Sequence, residues 1–364
     1  MVKPIDKSNI HRILIRATNW VGDAVMTMPA LEAVRENFPE AHLTVLARPW
    51  VIPLLENHPS VDKVIPYSRG NGPREDLLEM IHVVRQIRTQ GFDLAILFQN
   101  AFEAALLTFL GGIKNRVGYN TDGRGLLLSH GIPRRKDIMK GHQVEYYLAI
   151  LRGMGWEAKS KDPTLYVDPK ESESMGEMLL THGIEEHDFL VALSPGAIYG
   201  PAKRWPSERF AMIGDYAVQK WGAKVLIMGS EREKDIGAAV KEAMKQPALD
   251  LSGMTSLAGA MALIKRCGFF VTNDSGLMHV AAALQVPLVA IFGSTDPVAT
   301  GPRGPSARIV QHETECAPCL RAECPEDYRC MLSIEPEEVW KEMEYLRHKA
   351  QGTRHRAPDP DHIP

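Results

Sequence analysis

The chain is expected to be an α/β protein made of two parallel-sheet domains in succession, and three observations lead there. Its 364 residues exceed what one ordinary core organises and suit two domains of average size. Short apolar runs alternate with helix-period segments through the first half, the pattern of parallel strands with helices on both faces. The alternation then starts afresh after Lys159 to Ser172, a stretch containing Pro163 and Pro169 with the composition of a linker.

In order, the strand candidates of the first half are Arg12 to Ala17, Leu43 to Ala47, Val64 to Pro66, Asp93 to Phe98 and a weaker one at Arg116 to Gly118. Helical patterns fall between them at Ala30 to Asn37, Val51 to Asn57, Asp76 to Gln90 and Ala101 to Leu110. Thr121 to Lys140 has no clear period and reads as a loop with a cationic edge, and a helix follows at His142 to Met154. The second half gives strands at Phe189 to Ser194, Lys224 to Met228, Gly268 to Asn273 and Pro287 to Phe292. Its helices are Ser207 to Lys220, Glu231 to Met244, Ser256 to Ile264 and Leu277 to Leu284. A cysteine-rich loop, Glu315 to Met331, precedes a charged amphipathic helix at Glu335 to Lys349. The expected division is therefore 1–170, 171–345 with a last helix able to pack back on the first domain, and a polar, Pro-rich tail over 346–364 of disordered composition.

Apolar residues make up 45% and charged residues 24% of the chain, as in globular proteins. The net charge is -3 with both signs mixed, which argues against a nucleic-acid binder. No apolar segment follows Met1-Val2-Lys3-Pro4, and the longest apolar stretch, Ala104 to Ile113, is about half what a membrane-spanning helix needs. A cytosolic protein is expected, with surface docking on a membrane left open. Five cysteines in that compartment are reduced thiols or metal ligands.

Ligands of parallel-sheet proteins sit where a strand ends and a loop opens into a helix. The first such place is Asn19-Trp20-Val21-Gly22-Asp23, a turn that delivers one carboxylate next to backbone amides; on this motif alone Asp23 reads first as a helix N-cap. Three more lie in the second half. Ser194-Pro195-Gly196-Ala197 leads to Lys203-Arg204-Trp205-Pro206, where glycine permits close approach and Lys203 offers a charge for phosphate, unless it is simply solvated. Met228-Gly229-Ser230-Glu231 offers Glu231 as a helix cap or as an acceptor for ribose hydroxyls. Asn273-Asp274-Ser275-Gly276-Leu277-Met278-His279 offers a helix start suited to a diphosphate, with Asp274 as an alternative cap and His279 as either ligand or core residue. None has the spacing of a P-loop or of G-x-G-x-x-G. Together they place three polar loops at equivalent strand ends of the second sheet, opposite the loop that carries Asp23.

These three segments, Asn19 to Asp23, Ser194 to Pro206 and Asn273 to His279, closely resemble glycosyltransferase family 9, the ADP-heptose-dependent heptosyltransferases of lipopolysaccharide synthesis, and the likeness runs from about residue 12 to about residue 345. The resemblance implies a GT-B fold, two Rossmann-like domains facing each other across a cleft, with the acceptor held mainly by the first domain and the sugar nucleotide by the second. It implies inverting, metal-independent transfer of L-glycero-D-manno-heptose from ADP-heptose to heptosyl-Kdo2-lipid A, at the cytoplasmic face of the inner membrane and with no cofactor. Asp23 would be the general base, and Lys203 with the helix start at Gly276-Leu277 would stabilise the departing ADP. The donor set it implies is Ser194, Gly196, Ala197, Lys203, Gly229, Glu231 (ribose), Met254 and Thr255 (adenine), Asp274 (sugar hydroxyls), Ser275, Gly276, Leu277 and His279. Candidates to hold the anionic acceptor are Arg69, Arg74, Arg124, Arg134, Arg135 and Lys136. Alternatives are a family member with another donor or acceptor, and a sugar-nucleotide-binding protein without catalysis.

Cys316, Cys319, Cys324 and Cys330 form a C-x2-C-x4-C-x5-C arrangement. Four thiols in so short a span could enclose a structural zinc, although the outer spacings are tighter than in common zinc modules; a reduced, loop-ordering cluster is the alternative. Cys267, next to a strand, is expected in the core, and no metal is assigned to the reaction.

Overall fold

Ile13-Leu14-Ile15 and Leu190-Val191-Ala192-Leu193 have no polar face, and a strand apolar on both faces is stable only in a sheet covered on both sides. The computed structural model, which describes residues 3–68, 70 and 72–354, places both runs centrally in six-stranded, all-parallel sheets. The first comprises β1 (Arg12–Arg16), β2 (His42–Ala47), β3 (Lys63–Pro66), β4 (Leu94–Leu97), β5 (Asn115–Tyr119) and β6 (His130–Ile132). The second comprises β7 (Leu190–Ser194), β8 (Lys224–Ile227), β9 (Ala248–Asp250), β10 (Phe269–Asn273), β11 (Leu288–Ile291) and β12 (Ala307–Val310).

The strand order is β3-β2-β1-β4-β5-β6 in one sheet and β12-β11-β10-β7-β8-β9 in the other. Counted from its own first strand, each sheet has the same doubly wound order, 3-2-1-4-5-6. The order reverses between β1 and β4 and between β7 and β10, and at such a point the flanking connections diverge to opposite faces and leave a crevice at the carboxyl ends. Registers are regular: Ile15 pairs with Val45 and Ile96, and Val271 pairs with Leu193 and Val289. The chain divides into two compact units between Asp168 and Pro169.

Several elements depart from the sequence expectation, each for a local reason. Val51 to Asn57 is not a regular helix but a 3-10 turn, Pro49–Leu54, because Pro53 has no N–H for the helical ladder. The expected linker ends early, since a helix runs from Pro169 to Thr181 and proline suits its first turn. The edge strands β6, β9 and β12 are three or four residues long, too short to show a period. The last helix, Pro336–Arg354, outruns its expected end at Lys349, so the tail predicted from 346 is helical as far as Arg354. Its side chains Val339, Trp340, Met343 and Leu346 are buried in the core of the second unit, where a return onto the first had been open, and the Trp340 ring lies 4.5 Å from that of Trp221.

Candidate active site

Asp23 lies in the first turn of the helix Val21–Met26, directly after β1. The N-cap position is Trp20 and carries no side-chain capping bond, so Asp23 is not the cap. Its Oδ1 instead accepts a hydrogen bond from the Tyr147 phenol at 3.0 Å. Tyr147 belongs to the helix Gln143–Gly153 and is 4% exposed. Burial first, then the Asp23 charge and this hydrogen bond, push the phenol well above its usual range, so it stays a proton-bearing donor. Tyr147 was invisible in the sequence, where Tyr146-Tyr147 is an ordinary part of an amphipathic helix.

In the second unit the candidates lie past the carboxyl ends of β7, β8, β9 and β10. Asn273, the last residue of β10, donates to Pro195 O at 2.7 Å and accepts from Trp205 N at 3.1 Å, which ties the loop after β10 to both ends of the loop after β7. That tie brings Lys203 to Asp274, with Nζ donating to Oδ2 at 2.6 Å. Asp274 also accepts from Thr295 Oγ1 at 2.7 Å, and Tyr199 lies under the ammonium group with its centroid at 5.0 Å. Lys203 is therefore neither solvated nor a lone cation. Asp274 is not a cap either: Ser275 caps the helix Gly276–Ala283 by accepting from Met278 N, and the amides of Gly276 and Leu277 are left at the partly exposed helix start.

Other expected donor residues find specific places. Ser194 and Ala197 are buried. A Cβ on Gly196 would come 2.1 Å from Glu233 Oε1, so this glycine admits a carboxylate of its own chain. Ser230 and Glu233 form the capping box after β8, which leaves Glu231 outside it, exposed and paired with Lys234 Nζ at 2.7 Å. Gly253, in the left-handed region, keeps the following turn against Glu231, and Gly253 N donates to Gly229 O at 2.8 Å. The structure thus brings together Gly229, Glu231 and the turn carrying Met254 and Thr255, with Met254 largely exposed. His279 is buried in its helix. Thr295 was missed, yet it follows β11 in a polar turn, Gly293-Ser294-Thr295, of the kind that marked the other loops.

One acceptor candidate is corrected. Arg124 is completely buried and donates to Tyr119 O at 2.8 Å, to Asn100 Oδ1 at 2.8 Å and to Gln99 O. Burial pushes it down to about 10, and its work is to hold the β4 and β5 loops together. Arg74, Arg134, Arg135 and Lys136 are exposed, and Arg69 lies outside the described residues.

The cysteine loop is tied to the Lys203 loop. Tyr199 Oη donates to Leu320 O at 2.8 Å and Ala202 N to Ala322 O at 3.0 Å, while Leu320 N donates to Ser294 O at 2.8 Å. Burial, then the neighbouring Cys316, Cys319 and Cys324, raise the thiol of Cys330. Among the described residues no three His, Cys, Asp or Glu side chains are arranged to hold a metal. Cys267 is buried, as expected.

Two doubly wound units with polar loops at their switch points have the make-up of a GT-B glycosyltransferase. Comparison with known proteins narrows this. Residues 80–329 match the family model described as glycosyltransferase family 9 (heptosyltransferase). The chain is 32% identical to lipopolysaccharide heptosyltransferase 2 of Salmonella typhimurium over 92% of its own length and 98% of that protein's. It superposes on the structure of Escherichia coli ADP-heptose lipopolysaccharide heptosyltransferase II with a TM-score of 0.80 and 28% identity, covering 93% of this chain and 99% of that one. A family 9 glycosyltransferase from Veillonella parvula shares the fold with a TM-score of 0.81 at 24% identity, over 92% and 97% of the two chains. The chain belongs to glycosyltransferase family 9, the heptosyltransferases.

Proposed function

We propose that this enzyme moves L-glycero-D-manno-heptose from ADP-heptose to the first heptose of the lipopolysaccharide inner core. The observation that carries the proposal is the likeness to heptosyltransferase 2 across nearly the whole of both chains. Asp23 takes the proton from the attacking acceptor hydroxyl as that oxygen closes on the anomeric carbon from the face opposite the nucleotide. A single displacement of this kind inverts the anomeric centre, and the C–O bond to the diphosphate breaks as the new one forms. Tyr147 supports this role because a neutral donor fixes one carboxylate oxygen and leaves its negative charge in place. The charge that builds on the departing ADP is met by Lys203 and by the amides at the start of the helix Gly276–Ala283. Glu231 and the Met254-Thr255 turn receive the nucleoside. No metal takes part in the transfer.

We place the reaction at the cytoplasmic face of the inner membrane of a Gram-negative bacterium, by peripheral contact. Among the described residues no helix is long and apolar enough to cross a membrane. Leu126, 96% exposed, and exposed Met139 stand in the same segment as the exposed cations Arg134, Arg135, Lys136 and Lys140, the mixture an anionic lipid surface attracts.

Turnover of ADP-heptose with heptosyl-Kdo2-lipid A, followed by mass analysis, tests the proposal. One added heptose is expected. Transfer from a different nucleotide sugar, or onto an acceptor lacking the first heptose, would replace it.

A further inference from the structure

Two arginines of the first unit are buried side by side. Arg16 ends β1 and is 2% exposed; Arg48 follows β2 directly and is 3% exposed. Their guanidinium carbons lie 5.6 and 4.3 Å from the centroid of the Tyr67 ring, just past β3. A carboxylate, Glu103, stands 3.7 Å from Arg48 Nη2 and also accepts from the Tyr67 phenol. Among the described residues two buried guanidinium groups share this one carboxylate, and an excess buried charge is costly.

The donors are only partly used. Arg16 gives Nη1 to Ala17 O at 2.6 Å and Nη2 to Asn19 Oδ1 at 3.1 Å, and its Nε is buried with no partner among the described residues. Burial first, then the Arg48 charge, push this guanidinium down to about 10, against the opposing pull of Glu103. Arg48 gives Nη1 to Tyr67 O at 3.0 Å and makes no other hydrogen bond among the described residues. It is reached from outside through an open hollow of about 390 Å³ lined by Asn19, Arg48, Trp50 and Ser68. Trp50 is pinned by its Nε1, which donates to Asn19 O at 2.7 Å, yet 56% of it is exposed; Trp20 alongside in the chain is 62% exposed. An indole held by its edge and bare elsewhere is a surface on which the C–H face of a sugar ring can lie. Asn19 and Trp20 are also the residues that lead into the turn bearing Asp23.

We propose that this hollow is an acceptor subsite, in which an anionic sugar lies on Trp50 and turns its carboxylate or phosphate group to Arg48. The inference rests on the reading that the first unit holds the lipopolysaccharide acceptor. Arg48 also braces Tyr67 O, so loss of activity in a variant is not sufficient evidence, and the decisive measurement is a cycle between enzyme and acceptor charge.

Wild type and Arg48→Gln are assayed with three acceptors: native, carboxylates blocked as methyl esters, and dephosphorylated. A charge-assisted contact predicts that wild type loses about ten- to a hundredfold in acceptor KM on one of the two neutralised acceptors, and which one identifies the group. In Arg48→Gln the native acceptor is weakened by the same factor, and neutralisation costs nothing further. Trp50→Ala weakens all three acceptors alike, by about tenfold, with donor KM unchanged. Calorimetric titration with the deacylated acceptor saccharide reads the same cycle without turnover. If Arg48→Gln and wild type respond equally to neutralisation, or if the saccharide binds both equally, the subsite is refuted. Absence of transfer by wild type, with the titration cycle intact, would count against the proposed reaction and leave the subsite standing.

Discussion

At the carboxyl edge of the first sheet a carboxylate, Asp23, is held by a buried phenol, whereas at the same edge of the second a carboxylate, Asp274, is held by an ammonium group. The two sheets share one strand order, and both residues sit just past a strand at the point where that order reverses. A neutral donor such as this phenol orients a carboxylate without cancelling its charge. Lys203 and the Thr295 hydroxyl both donate to Asp274, which ties their two loops to it. One strand order thus presents two carboxylates in different settings, a phenol donating to one and an ammonium group with a hydroxyl to the other.

The sharpest way to break this contrast is to remove the charge on one side only. Asp23→Asn keeps the shape and the Tyr147 neighbour, and is expected to lower kcat by about 10² to 10⁴, the usual worth of a general base. ADP-heptose affinity, measured by calorimetry, stays within about twofold if the first unit supplies the base and the second holds the donor. A comparable loss of donor affinity would show that the two edges do not divide the work in this way. Lys203→Met acts on the other side and strikes binding as well as turnover. It strands Asp274, 5% exposed, next to Thr295, and leaving a buried charge without its partner costs about 3–5 kcal/mol in comparable pairs. Donor affinity and thermal stability should fall together, and adding Asp274→Asn should restore the stability without restoring donor affinity.

Smaller effects come from the glycines that let the second edge pack. A Cβ on Gly200 would stand 2.1 Å from the backbone oxygen of Ala322, which the Ala202 amide also uses. One on Gly196 would meet the movable end of Glu233 at a similar distance. Gly200→Ala should therefore lose about 1–3 kcal/mol in denaturant unfolding, as overpacking does, and Gly196→Ala less, because a side chain can swing where a backbone cannot. Equal losses would mean that the cysteine loop gives way as easily as a glutamate.

How much of this was open to a reader of the sequence follows from the range of each interaction. Ile13-Leu14-Ile15 and Leu190 to Leu193 announce buried parallel strands on their own, and the polar residues that end them mark the ligand edge, because strand and loop are adjacent in the chain. Asp23, Lys203 and Asp274 could be picked out for that reason. Their partners could not: Tyr147 is 124 residues from Asp23, and Lys203 is 71 from Asp274. Arg124 shows the converse error, since a guanidinium in a Gly- and Arg-rich stretch looks solvated until β4 and β5 close over it. Arg16 and Arg48 escaped notice because an arginine at a strand end is unremarkable until β1, β2 and β3 bring the two to one tyrosine.

The finest test of the contrast is the phenol. Tyr147→Phe keeps the edge-on packing against Phe98, whose centroid is 5.9 Å away, and against Tyr146 at 5.5 Å. Only the hydroxyl goes, and with it one hydrogen bond to a charged acceptor, worth about 1.5–3 kcal/mol at most and less where water can replace it. A fall in kcat of about fivefold is expected, with donor affinity and melting temperature nearly unchanged. The diagnostic step is to add the same change to Asp23→Asn. If the phenol serves to aim the carboxylate, Tyr147→Phe has no further effect on kcat once that carboxylate is gone, since there is no base left to position. If instead the hydroxyl merely fills space in the wall behind the helix Val21–Met26, its removal costs the same in both backgrounds, and the phenol no longer sets the first edge apart from the second.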